Sequence, residues 1–313
     1  MNDLAVTIGD VRAAAERIGP HVHRTPVMTS MTADVRFGAA FFFKCENLQK
    51  TGAFKARGAT NAVLSLAEED AANGVVTHSS GNHGQAVAYA AAIRGIPSWV
   101  VMPEGVTPVK VDAVRGYGAE VVFCRHSERE STAEEVRVST GATLIHPFDD
   151  AAVIAGQATA SLELLEEVPD LDILLAPIGG GGLLSGTAVV ARSLLPEAAV
   201  IGAEPFAVDD AYRSLATGQR QPGVPNPRTV ADGLLTGIGQ IPFDILTRCG
   251  AEVVRVTEAS ILAETRFMLE RLKLVVEPSA ATPLAAIATE PDRFSGRRVG
   301  VIISGGNTDF SWM

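Results

Sequence analysis

Residues 171–186 read Leu171-Asp172-Ile173-Leu174-Leu175-Ala176-Pro177-Ile178-Gly179-Gly180-Gly181-Gly182-Leu183-Leu184-Ser185-Gly186. An apolar run of strand length, 171–176, passes through four consecutive glycines into an apolar stretch of helical length, 183–195. The run does not alternate, so both faces of the strand are covered, as in the parallel sheets of α/β proteins. The same couplet recurs outward from it. Short β-branched runs at 75–77, 98–102 and 120–123 each precede a helical stretch, at 83–94, 109–117 and 130–140. Gly95 stands where the first of these helices should close in the C′ position. Further runs at 200–203, 252–256 (followed by a helix over 261–272) and 299–303 complete an α/β series.

The 313 residues suggest about two domains. Turn-rich passages at 68–74 and 147–150 predict a smaller lobe, 74–147, inserted in a larger lobe made of 1–73 and 148–313. Residues 218–228 read as a surface excursion. With 47% apolar and 20% charged residues, the chain is neither disordered nor collagenous. A net charge of −10 gives no basic footprint for nucleic acid or anionic membrane. Glycine, proline or a charge breaks every apolar run before membrane-spanning length. Three scattered cysteines (Cys45, Cys124, Cys249) and a start, Met1-Asn2-Asp3-Leu4, without the marks of a signal peptide set the expectation of a reducing cytoplasm.

Four glycines opening a helix present bare N–H groups at the positive end of its dipole, a cradle for phosphate. A plain turn would lose backbone entropy there for no packing gain. A dinucleotide site needs the G-x-G-x-x-G frame, and Glu204 stands where a ribose-binding acid would. The frame breaks at Ser185, with Gly186 one place late, and no G-K-[ST] occurs. Lys55, between Phe54 and small residues, is a candidate desolvated amine and hence a nucleophile toward carbonyls. Ser79-Ser80-Gly81-Asn82-His83-Gly84 reads equally as a helix cap and as a turn that holds a small carboxylate. His83 reads equally as a structural residue and as a base. Ser304-Gly305-Gly306-Asn307 follows the last apolar strand, at the sheet end where α/β proteins bind ligands.

Taken in order, Phe54-Lys55-Ala56-Arg57-Gly58, Ser79-Ser80-Gly81-Asn82-His83, Gly179-Gly180-Gly181-Gly182 and Ser304-Gly305-Gly306-Asn307 resemble the fold-type II pyridoxal-phosphate enzymes. The resemblance is greatest to the serine racemase and serine/threonine dehydratase group, which includes hydroxyaspartate dehydratases. His146-Pro147-Phe148-Asp149 and Ile154-Ala155-Gly156-Gln157 add to it. It implies two open parallel-sheet lobes of the tryptophan synthase β-like type, and pyridoxal 5'-phosphate as cofactor.

By the same resemblance, Lys55 holds the cofactor as a Schiff base, and Phe54 and Asn82 lie against its ring. Gly179, Gly180, Gly181 and Gly182 bind its phosphate, and Ser304 faces the pyridine nitrogen. Ser79, Ser80, Gly81, Asn82 and His83 receive the substrate carboxylate, and Arg129 aligns with a substrate-gating arginine. The implied reaction is α,β-elimination of L-serine, L-threonine or 3-hydroxyaspartate to a 2-oxo acid and ammonia. The alternative is a serine or aspartate-type racemase using Lys55 and Ser80 on opposite faces of the ring. Glu204-Pro205-Phe206-Ala207-Val208-Asp209-Asp210 resembles the family's cation-binding stretch, implying Mg²⁺, Ca²⁺ or Mn²⁺ on Glu204, the Val208 carbonyl and Asp210. A homodimer acting on a small hydroxy-amino acid is also implied. Met31 and Phe123 depart from the serine and tyrosine of nucleotide-activated racemases, arguing against activation by ATP. Ala53 departs from their serine toward the hydroxyaspartate dehydratases. Nine residues follow Ser304, and no isoleucine feedback is expected.

Overall fold

A computed structural model describes residues 4–79 and 81–313, the side chain of His126 excepted. The described residues form ten strands: β1 (Val27–Thr29), β2 (Ala40–Cys45), β3 (Val75–His78), β4 (Ser98–Pro103), β5 (Glu120–Cys124), β6 (Thr143–Leu144), β7 (Ile173–Pro177), β8 (Ala199–Pro205), β9 (Glu252–Val256) and β10 (Arg298–Ile303). They build a six-stranded sheet in the order β1-β2-β10-β7-β8-β9 and a four-stranded sheet in the order β5-β4-β3-β6. Every pairing is parallel except β1 with β2. That antiparallel edge is absent from the parallel reading of the sequence. At three residues β1 is too short for its apolar pattern to register.

The parallel strands are buried because helices cover both faces. All five residues of β7 are buried, and the helix Gly182–Leu194 is buried from Gly182 to Ala191. Helices Ala151–Glu167 and Pro278–Thr289 are apolar on almost every side, so no 3.6-residue stripe marks them in the sequence. Helices Lys55–Ser65 and Ala151–Glu167 cross in near backbone contact. A Cβ on Gly156 would stand 2.6 Å from the Gly58 Cα, closer than any side chain allows. Gly95 closes helix Asn82–Arg94 at a φ of 72°, in the left-handed conformation expected of it. The helix expected over 261–272 is regular only over Glu258–Phe267. Met268–Leu272 winds as a π-turn, and Lys273 follows at a φ of 62°.

Both sheets reverse their strand order at one place. In the larger, the chain leaves β7 for β8 and β9 on one side, while β10 and β2 lie on the other. In the smaller, β3 leads outward to β4 and β5, while β6 flanks it opposite. Such a switch point opens a crevice beyond the carboxyl ends of the strands. The segments leaving β7, β10 and β6 are 178–182, 304–309 and 145–148, and they meet Ser79, Gly81 and Asn82, which follow β3, at one cavity.

Candidate active site

The cavity holds about 1090 Å³ and is lined by Lys55, the glycine quartet, Ser79, Gly81, Asn82, His83, Ser304 and Arg129, among others. The fold therefore gathers the sequence-predicted groups, drawn from both ends of the chain, at the two switch points. Ser80 lies outside the described residues. Phe54 also lines the cavity, with the Lys55 ammonium 5.2 Å from its ring centroid.

Lys55 opens its helix, and the segment before it is clipped to the end of β10. Ala53 bridges to Gly305, and the Phe54 N–H donates to the Ser304 carbonyl at 3.0 Å. Two residues further along, the Arg57 guanidinium is fully buried. It donates to Glu46 at 2.7 and 2.8 Å and to Glu163 at 2.7 and 2.8 Å. Lys44 donates to Glu163 at 2.6 Å, which completes a neutral set of two cations and two carboxylates. Burial pushes the Glu46 carboxyl up, but Arg57 outweighs it and holds the group below the usual range. The network ties the lysine-bearing helix to β2 and to helix Ala151–Glu167. Removing one partner of such a buried pair costs about 3–5 kcal/mol.

The Lys55 amine donates to the Pro147 carbonyl at 2.6 Å. Burial lowers its pKa to about 8, against the opposing charge of Glu277. A useful fraction is thus the free amine near neutral pH, which a carbonyl-capturing or proton-abstracting lysine needs. His83 is buried with Nε2 on the Ile145 carbonyl at 3.2 Å. Burial, then Lys55, holds it neutral, well below the usual imidazole range. Of its two readings, the structural one is the one this bonding favours.

Two helix N-termini open on the cavity without side-chain caps. Gly181, at a φ of 90°, caps helix Gly182–Leu194, and Gly81 caps helix Asn82–Arg94. A Cβ on Gly180 would fall 2.3 Å from the Phe148 ring. The first cradle, of bare N–H groups at a helix end, suits a phosphate. The second, uncapped where the sequence allowed a capping serine or asparagine, suits a carboxylate. The residues thus fit a phosphate-bearing aldehyde cofactor beside a nucleophilic amine.

A family model for pyridoxal-phosphate dependent enzymes matches residues 18–305. The chain belongs to the pyridoxal-phosphate dependent enzyme family. This family member is 49% identical over 311 residues to a serine racemase of Dictyostelium discoideum, covering 98% of this chain and 96% of that one. It is 47% identical over 305 residues to a beta-hydroxyaspartate dehydratase of Paracoccus denitrificans, covering 97% and 96%. The crystal structure of a T.th. threonine deaminase superposes with a TM-score of 0.93 at 44% identity, covering 97% and 99%. The fold-type II resemblance and the α/β architecture are thereby borne out.

Other expectations are corrected or extended. Residues 218–228 are more than a surface excursion, because Val224, Asn226, Pro227 and Arg228 line the cavity. Glu204 does not line the cavity and accepts N–H bonds from Ala211 and Tyr212 at 3.0 and 2.8 Å, so it cannot serve as a ribose acid there. Glu277 escaped the sequence reading. It is buried at the cavity wall and accepts the Asn82 amide at 3.0 Å on both oxygens. Its signal was an acid embedded in the apolar run Leu274-Val275-Val276-Glu277-Pro278. Among the described residues no cluster of three or more His, Cys, Asp or Glu side chains forms a metal site, and no helix is long and apolar enough to cross a membrane.

Proposed function

We propose that this chain catalyses pyridoxal-phosphate-dependent α,β-elimination of a 3-hydroxy amino acid, such as L-serine, L-threonine or 3-hydroxyaspartate. The water lost is regained when the released enamine hydrolyses, so the net products are a 2-oxo acid and ammonia. The observation that carries the reading is the Lys55 amine, lowered to about 8 at a cavity shared with the glycine cradle and Ser304. When bound, pyridoxal phosphate supplies a carbonyl that captures the substrate amine and a ring that withdraws electrons from Cα. Lys55 would hold it, with its phosphate on Gly179, Gly180, Gly181 and Gly182.

The N-terminus of helix Asn82–Arg94 orients the substrate carboxylate, and Arg129 stands in the same cavity to receive a second polar group. The freed Lys55 amine takes the Cα proton as general base. Ser304, at the cavity wall, would offer the ring nitrogen a neutral hydroxyl, too weak an acid to protonate it. The test is ammonia release from a panel of hydroxy-amino acids, with K55A expected to lower it about 10²–10⁴-fold. No ammonia from any of them would refute the reading.

Similarity to serine racemase favours a second activity, racemisation by Lys55 and Ser80. D-serine forming from L-serine faster than pyruvate would make it the main one. Glu204, the Val208 carbonyl and Asp210 are proposed to hold Mg²⁺ or a similar divalent cation. Both side chains are buried, and the bonds they accept are from main-chain N–H groups, of Ala211, Tyr212 and Ile238. Burial raises both carboxyls, Glu204 to about 8. A hard, oxygen-seeking cation suits that donor set.

A further inference from the structure

The buried acid Glu277 has no part in the elimination as described, yet its geometry is specific. Its N–H donates to the Gly305 carbonyl at 3.1 Å, next to Ser304, and its carboxyl accepts the Asn82 Nδ2 at 3.0 Å on each oxygen. The Asn82 Oδ1 in turn accepts the Asn307 Nδ2 at 2.8 Å, and that same nitrogen donates to the Thr51 carbonyl at 2.7 Å. Donation thus runs one way, Asn307 to Asn82 to Glu277. An ionised carboxylate only accepts. Flipping the Asn82 amide would set its Oδ1 against the Glu277 oxygens and its Nδ2 against the Asn307 donor. A protonated Glu277 removes the first conflict, because its O–H can donate to Oδ1. The Asn307 donor, fixed by the Thr51 carbonyl, opposes the flip at any pH, so the charge on Glu277 decides whether the Asn82 amide is held from one side or from both.

We propose that Glu277 is a positioning residue whose ionised carboxylate locks the Asn82 amide, and through it the cofactor-facing wall of the cavity. The assignment rests on the proposed seat of pyridoxal phosphate at Lys55 and Asn82. The charged groups that face Glu277 are Lys55, Lys110 and Asp232, each from a different element. Burial and Asp232 raise its pKa, the Asn82 bond, Lys110 and Lys55 lower it, and the result is about 7. The lock consequently engages within the neutral range.

The experiment records absorption spectra of the pyridoxal-phosphate-loaded enzyme without substrate from pH 6 to 9, together with the cofactor dissociation constant of the apoprotein. The wild type should show a spectral step with a midpoint near 7. E277Q, isosteric but able to turn its own amide, should lose the step and bind cofactor about tenfold more weakly. N82A should lose the same step, and the double variant should weaken binding no more than about twofold beyond either single one. A role confined to packing would leave the step in place. A step retained in E277Q, or losses that multiply in the double variant, overturns the proposal. So does a wild-type spectrum without the step, which decides the matter even if E277Q fails to fold. Mass spectrometry of the borohydride-reduced enzyme keeps the two readings apart. An adduct absent from Lys55 refutes the proposed function, whereas an adduct present with a pH-independent spectrum refutes only the lock.

Discussion

Glu204 shows how much of this chain's chemistry turns on single carboxyl groups. Its acid form is favoured in the folded state, where burial lifts it to about 8, and the unfolded chain ionises it near the ordinary 4.5. Between those values the native state holds the extra proton, so this group's contribution to stability is full below about 4.5 and falls as pH rises through 8. A divalent cation on Glu204 and Asp210 would reverse the penalty by pairing the ionised forms. In chelator, the melting temperature should therefore fall from pH 5 to pH 8 by more than in E204Q. Added Mg²⁺ should raise it more at pH 8 than at pH 5. Equal Mg²⁺ effects at both pH values, measured by thermal denaturation, would contradict a cation at these residues.

Helix crossing, one level up, sets where Lys55 stands. Gly58 lies one turn after it and meets Gly156 of the facing helix, where an added Cβ would stand only 2.6 Å from the Gly58 Cα. Because the obstacle is backbone, no rotamer relieves it. G156A should cost about 1–3 kcal/mol in denaturant unfolding. It should also weaken pyridoxal-phosphate binding, because the lysine-bearing helix is displaced. A remote helix control such as A288G should lose stability without that effect on the cofactor. The strand-and-helix couplets were legible because a bare apolar run bounded by glycine or proline has few alternatives. The glycine crossing was not legible. Gly156 and Gly58 sit in uniformly small, apolar sequence, and only the packed pair reveals why neither carries a side chain.

Across the whole molecule, the two sheets meet at the cavity, and an ion pair spans its mouth. Lys110, of helix Pro108–Arg115 beside the smaller sheet, donates to Asp232 on the larger side at 3.0 Å. Both are partly exposed, so the pair is worth only about 0–1 kcal/mol to folding. K110A should leave the melting temperature within about 2 °C, while KM rises about two- to tenfold with kcat nearly unchanged. A parallel fall in kcat and stability would show that the contact is not a mouth contact at all. At this scale the sequence was half legible. The glycine quartet stood out by itself, whereas Lys55 and Ser304 acquired a chemical reading only from the order in which the four motifs occur. Glu277, the ion network around Arg57 and the cavity-lining loop 224–228 depend on partners brought together from distant segments. Nothing local records those.

The strand order carries a consequence for synthesis. β10, the last of the described strands in chain order, lies between β2 and β7, which do not touch each other as neighbours. Until residues 298–303 leave the ribosome, the early and middle parts of the larger sheet have no strand to join them. Until then the apolar edges of β2 and β7 stay uncovered, which leaves the incomplete sheet open to aggregation.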